Sequence, residues 1–391
     1  MIMTGERVRD VDAVRGFALL GIFVVNITFM ASGYPSNIVT DPAYSSTLDE
    51  IVRGLTSALF GMKFYLLFSF LFGYSFTLQI ESARRAGTAF GPRMLRRIAG
   101  LFALGVLNIV LIYGGDILTT YAVACLILFL LRGVRDRTAL WIAGAVYGYV
   151  LLSMTISSLV MDPAAFLPPE SEALANAERI TEAMRGGFAD VLDTHLSGLS
   201  LLVIQALSMQ GPTALAMFLV GMVAGRRRLL SRVRGDEPVL RTLQWIGFPV
   251  GLAGALIYTL AGGNGNTLAV VASVATAPLL TAAYVATLLR VLHNPRTARV
   301  RDVLAPTGRI ALTNYLLQGV FGLLIFTGVG LGLAGSLSPL ETMLLAVALF
   351  AVQLIASAWW LRRFQYGPAE WLLRWVTNGS RPVWRKITSG G

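Results

Sequence analysis

The chain has 391 residues, 55% hydrophobic and only 14% charged, too few polar side chains to cover a water-soluble fold of this size. Its net charge of +11 does not mark a nucleic-acid partner, because the arginines stand in short clusters between long apolar runs and not along one amphipathic face. The sole cysteine, Cys125, lies inside an apolar run, which leaves neither a disulfide framework nor a cysteine metal site.

Lipid is therefore the expected solvent, and the predicted elements are membrane spans. Runs long enough to cross ~30 Å of hydrocarbon occur near 13 to 31, 54 to 79, 96 to 113, 116 to 132 and 138 to 161. Five more lie near 196 to 225, 243 to 261, 267 to 292, 310 to 333 and 339 to 361, and Gly211-Pro212 predicts a kink in the first of these. The expectation is an all-α polytopic bundle of ten spans, a single integral membrane domain over 1–391, with both termini in the cytoplasm. With that topology every Lys and Arg except Arg53, Lys63, Arg179 and Arg185 falls on or near the cytoplasmic side, and a miscounted span would scramble that asymmetry. Arg93, Arg96 and Arg97 could hold phosphates, but they read first as part of the same signal. Arg7 and Arg9 before the first run also resemble the start of a signal peptide with a cut near Met30-Ala31-Ser32, but the run is read as the first span. The one sizeable loop, 162–195, is expected outside the cell; it begins with Pro163, Pro168 and Pro169 and turns helical from Glu172 to Met184, as a connector or as a lid over an outer cavity.

Within the spans, polar residues carry the functional signal. Eleven residues advance a helix by three turns plus 20°, so Arg15 and Asn26 share a face and lie ~16 Å apart along the axis. Asp12 and Arg15 are i, i+3 neighbours, able to form an ionic latch or to meet a donor phosphate. Lys63 falls about a third of the way into the second span, where a charge costs ~2.5 to 3.5 kcal/mol unless paired or hydrated. Asn26, Asn108 and Asp116 fall in the same outer layer, and Lys63 with Asp116 is the expected ion pair; the alternative is that Asp116 caps its helix while Lys63 snorkels outward. On the inner side Asn314 and Gln318 are i, i+4 above Arg309, placed to line a cytoplasmic cavity or to bond helix to helix. Gly330, Gly332 and Gly335 lie in a membrane run with no strand before them, so they are expected to serve helix packing and not a dinucleotide. The same packing role is expected of Gly144 with Gly148, Gly221 with Gly225 and Gly247 with Gly251. The aromatics from Phe64 to Phe76 read as core.

Four blocks carry a resemblance: DAVRGFALLGIFVVNI from Asp12, KFYLLFSFLFGYSF from Lys63, YGGDILTTYAV from Tyr113, and GRIALTNYLLQ from Gly308 with YGPAEWLLR from Tyr366. Together they make the chain similar to the YeiB-type family of bacterial membrane proteins (domain of unknown function 418), which is related to the transmembrane acyltransferase superfamily. That resemblance implies transfer of an acyl group from cytoplasmic acyl-CoA, acetyl-CoA above all, to a sugar or lipid acceptor at the outer face of the bacterial inner membrane. Asp116, Lys63, Asn26 and Asn108 are then the catalytic candidates, and Arg15, Asp12, Arg309, Asn314 and Gln318 the donor-binding ones. Acyl-CoA would be a co-substrate with no resident cofactor or metal, and the partners are the lipid bilayer and the small-molecule acceptor.

The chain departs from the pattern at two histidines. Relatives in the better-known branch carry one eleven residues after the first-helix arginine, where Asn26 stands, and YeiB-type proteins often carry one before the Gly-Asp-Ile-Leu block, where this chain has Asn108. The histidines present are His195, at an outer helix start, and His293, at a cytoplasmic helix end. The alternative function is a transporter or lipid-handling protein that uses the same polar residues without covalent chemistry; no inverted repeat or clearly broken helix pair is visible to favour it.

Overall fold

The structure, a computed structural model, describes residues 3–160, 168–231 and 237–386; Pro163 of the predicted loop lies outside them. The described residues form helices α1 (Met3–Ala31), α2 (Thr47–Leu59), α3 (Lys63–Arg85), α4 (Phe90–Leu111), α5 (Leu118–Leu130), α6 (Asp136–Val160), α7 (Glu170–Arg185) and α8 (Phe188–Ser197). They continue through α9 (Leu199–Gln205), α10 (Gly211–Arg226), α11 (Glu237–Leu260), α12 (Thr267–His293), α13 (Arg299–Arg309), α14 (Ala311–Phe326), α15 (Pro339–Arg363) and α16 (Pro368–Asn378). Among the described residues, eight helical stretches are long and apolar enough to cross a membrane, and nine if the bent pair α13–α14 counts as one. The architecture is the expected all-α membrane bundle.

Burial ranks the helices. In α1, 61% of the most apolar window is buried, against 17% in α6, whose Trp141 and Leu159 face outward. The central helix is thus α1, packed against α3, α13, α14 and α15, while α6 meets lipid over most of its surface. Side chains such as Phe23, Phe64, Tyr74, Tyr121 and Phe218 fill the middle, so the aromatic run of α3 is core.

Local chemistry explains most boundaries. Ser46 with Asp49 and Ser338 with Glu341 form capping boxes at α2 and α15, and Asn266 accepts from Leu268 N and Ala269 N to open α12. The predicted kink at Gly211-Pro212 is realised as a π-helical turn over Ala206–Gln210, in which Gly211 N reaches Ala206 O just before the proline that has no N–H to give.

Several expectations change. The second span, which falls within the continuous stretch Thr47–Arg85, is divided inside by a break at Met62, whose φ of 63° is positive, into the amphipathic α2 and α3, which starts at Lys63. The ninth span is broken: α13 and α14 meet at 76° around Ile310. Gly332 and Gly335 are turn residues with φ of 65° in the 327–338 loop, where Gly328 N bonds Met184 O and Gly335 N bonds Ala31 O, so that motif does not pack helices. Gly144 and Gly148 have open space where a side chain would stand, so lipid and not a helix faces them. Gly221 and Gly225 do pack, against Phe70 and Thr77 of α3, and Gly247 and Gly251 against Leu279 and Leu280 of α12. The tightest crossing joins α1 to α13: a Cβ on Gly308 would lie 1.8 Å from Asp12 O, and one on Gly16 2.4 Å from Leu304 O.

The segment α7 is docked. Gly33 N donates to Thr181 Oγ1 at 3.0 Å, Asn176 donates to Asn37 Oδ1 at 2.6 Å, and Arg185 Nε reaches Ala334 O at 2.6 Å, so α7 covers the exit of α1 and the 327–338 loop.

Candidate functional site

The polar residues gather in two layers. In the first, Asp116 follows the Gly114-Gly115 turn between α4 and α5 and is 1% exposed. Its Oδ2 accepts from Leu118 N at 2.8 Å and Thr119 N at 3.3 Å, which caps α5. Its Oδ1 accepts from Asn108 Nδ2 at 2.9 Å and from the Tyr315 hydroxyl at 3.0 Å. Four neutral donors from three parts of the chain therefore hold this buried carboxylate. The other side-chain atom of Asn108, Oδ1, has no hydrogen-bond partner among the described residues and looks toward Gly319 of α14, where a Cβ would stand 3.6 Å away. Tyr113 packs at the same place. His195, remote in sequence, lays its ring against Gly114, and its Nδ1 lies 3.3 Å from Val110 O at the end of α4.

Lys63 is not part of this layer's bonding. Its side chain is equally buried, but the ammonium donates to Ser57 O, 3.2 Å away, an otherwise orphaned carbonyl at the end of α2. The expected Lys63–Asp116 ion pair does not form, because the break at Met62 turns Lys63 back onto α2 while the carboxylate is saturated by closer donors. Asn26, half-buried on α1, makes no hydrogen bond with the described residues, so of the four catalytic candidates only Asn108 and Asp116 are joined.

The second layer lies on the same faces three turns away. Arg15 Nη1 donates to Asp12 Oδ1 at 2.6 Å, the expected latch, and Nη2 donates to Ser75 Oγ of α3 at 2.6 Å. Arg97 of α4 comes within electrostatic reach of Arg15, Glu370 and Cys125. It precedes Asn108 by the same eleven residues that separate Arg15 from Asn26, so α1 and α4 each carry an arginine and an amide ~16 Å apart on one face. Arg309 donates to Gln365 O at 3.1 Å and adds its charge near Asp12.

Asn314 and Gln318 bond helix to helix. Asn314 Nδ2 donates to Thr307 O at 3.0 Å and Ser357 Oγ at 2.9 Å, Gln318 Nε2 donates to Gln353 Oε1 at 3.0 Å, and Gln353 Nε2 returns to Asn314 O at 2.9 Å. This ladder fastens the broken α13–α14 pair to α15. Glu370, on α16, finishes the joint: its carboxylate accepts from Leu312 N at 2.7 Å, Thr313 N at 3.1 Å and the Thr313 hydroxyl, capping the N-terminus that the bend exposes. Burial raises the Glu370 carboxyl above its ordinary range despite those bonds.

Sequence reasoning missed Tyr315, Ser75, Arg97 as a site residue, and Gln353. Gln353 had a signal, an amide in the middle of a long apolar run; Tyr315 and Ser75 had none, since their partners are 199 and 60 residues away. Among the described residues no group of three or more His, Cys, Asp or Glu stands close enough to hold a metal ion.

A family model described as "Protein of unknown function (DUF418)" matches residues 224–380. Protein YxaH of Bacillus subtilis is 30% identical over 98% of both chains. The chain belongs to the YeiB-like DUF418 family. Two more relatives extend along nearly the whole length: a 39.9 kDa protein encoded in the amylase 3' region of Bacillus acidopullulyticus, 27% identical over 98% of this chain and 97% of its own, and YeiB of Escherichia coli, 26% identical over 95% and 96%. All three DUF418 relatives are bacterial, in keeping with a multi-pass bacterial membrane protein.

Proposed function

We propose that this protein transfers an acyl group from acyl-CoA, held at the arginine-rich end, to a hydroxyl of a sugar or lipid acceptor at the opposite face of the bacterial inner membrane. In this reading the eight long spans, the bent α13–α14 pair and the short α5 make ten crossings with both termini cytoplasmic. The observation that carries it is the stacking of two unlike layers on α1 and α4, with cations at one height and a cation-free buried carboxylate ~16 Å above. Arg15 and Arg97 suit the diphosphate of a CoA donor, and Asp12 and Arg309 set the charge around them. Asp116 then takes the proton of the acceptor hydroxyl as the new C–O bond forms and the thioester C–S bond breaks, and the leaving thiolate is protonated in turn. Tyr315 and Asn108 orient the carboxylate, and the open Oδ1 of Asn108 receives a hydrogen bond from the acceptor. Asn26 faces the same height from α1, whereas Lys63, Asn314 and Gln318 serve the frame.

The bend at Ile310 supports a second reading, transport, since capped half-helices inside a membrane often mark a substrate path. Calorimetric titration of purified protein with acetyl-CoA separates the two. Binding that weakens about tenfold or more in Asp12→Asn, Arg15→Gln relative to Asp12→Asn agrees with a CoA site, the loss of one charge-assisted contact being worth ~1.5 to 3 kcal/mol. No binding to folded wild type at millimolar ligand transfers the assignment to transport.

A further inference from the structure

A separate polar cavity of about 540 Å³ opens at the arginine-rich end, between the start of α11 and the last turn of α12, walled by Glu237, Gln244, Thr287, Arg290, His293 and Thr297. Its wall is already set. Glu237 Oε1 accepts from Arg290 Nε at 2.9 Å and from Arg241 Nε at 3.3 Å, Arg290 Nη1 donates to Gln244 Oε1 at 2.5 Å, and Gln244 Nε2 donates to Thr287 Oγ1 at 2.7 Å. Each bond fixes a long side chain, yet Arg290 Nη2 is left without a partner among the described residues.

His293 adds a second donor. Its Nδ1 lies 2.9 Å from Leu289 O and its Nε2 3.4 Å from Asp10 Oδ2, so whichever ring nitrogen carries a proton faces an acceptor. Asp10, 3% exposed on α1, also takes Arg301 Nε of α13 at 2.7 Å. Behind the wall Arg241 pairs with Glu237 and Arg301 with Asp10, so around the cavity the guanidiniums Arg241, Arg290 and Arg301 outnumber the carboxylates Glu237 and Asp10 by one. A hollow of this volume suits one small ligand, and its wall favours an anion that can take a guanidinium edge.

We propose that this cavity binds a small water-soluble phosphate ester of about mononucleotide size, at a site distinct from the Arg15–Arg97 layer and independent of the acyl-transfer reading. The ligand's phosphate meets Arg290 Nη2 and competes with Asp10 for His293. Because Asp10 ties α1 to both α12 and α13, occupancy is coupled to the joint on which Arg15 sits, and the coupling is reciprocal.

The test titrates full-length protein in phosphatidylcholine nanodiscs with AMP and with inorganic phosphate by calorimetry. Wild type should bind at least AMP with a Kd of millimolar or below, and Arg290→Gln should weaken it tenfold or more. Val291→Trp fills the hollow without touching its ion pairs and should also cost tenfold or more, which keeps the test readable if Arg290→Gln does not fold. Absence of binding of both probes to folded wild type overturns the proposal, as does unchanged affinity in Val291→Trp. Abolition of AMP binding by phosphatidic acid in the nanodisc overturns the soluble-ligand assignment in favour of a lipid headgroup.

Discussion

The two layers of the candidate site bury carboxylates in opposite ways. Asp12 is paired with a guanidinium and wedged where the backbones of α1 and α13 touch, while Asp116 is held by an amide, a phenol and two backbone N–H groups, with no cation among the described residues bonded to it. The contrast separates burial with a counter-charge from burial without one. A paired charge at a backbone-to-backbone crossing is part of the frame, and its worth lies in geometry. A carboxylate held only by neutral donors can gain or lose a proton without stranding a partner charge, which is what proton transfer to a substrate requires.

The largest expected effect comes from forcing the frame apart. Gly308→Ala puts a methyl group 1.8 Å from Asp12 O and should lower thermal stability in detergent by about 3 kcal/mol or more, whereas Gly144→Ala, facing open space, should be neutral or slightly stabilising. Equal losses in the two would erase the distinction between the packed inner joint and the lipid face. A smaller effect is expected in the other layer. Tyr315→Phe removes one of the two side-chain donors to Asp116 and should cost about 1.5 to 3 kcal/mol if the carboxylate is ionised. Since Lys63 bonds Ser57 and not Asp116, the Lys63→Met and Asp116→Asn losses should add to within about 0.5 kcal/mol; a strongly non-additive cycle would restore the ion pair.

The smallest effect concerns pH. Because the folded-state value of Glu370 lies above its ordinary 4.5, the folded protein holds the extra proton, and stability should fall as pH rises from about 4.5 through the raised value. Glu370→Gln should flatten that slope while keeping an acceptor for the cap. An unchanged slope in thermal unfolding curves would locate the titration elsewhere.

Much of the architecture was legible in the sequence because a bilayer imposes it. Twenty-residue apolar runs, arginine asymmetry and intramembrane polar residues follow from lipid chemistry alone, and they placed most of the spans, the Asp12–Arg15 latch and the shared layer of Asn108 and Asp116. What needed the tertiary structure was the partner of each group. One residue of positive φ, Met62, turned Lys63 away from Asp116, and a 76° bend at Ile310 turned Asn314 and Gln318 into helix fasteners. Tyr315, Arg97 and His195 reached their places from distant helices. Periodicity states which face of a helix a side chain occupies, but which helix lies opposite that face depends on long-range packing of the whole bundle, and no local pattern encodes it.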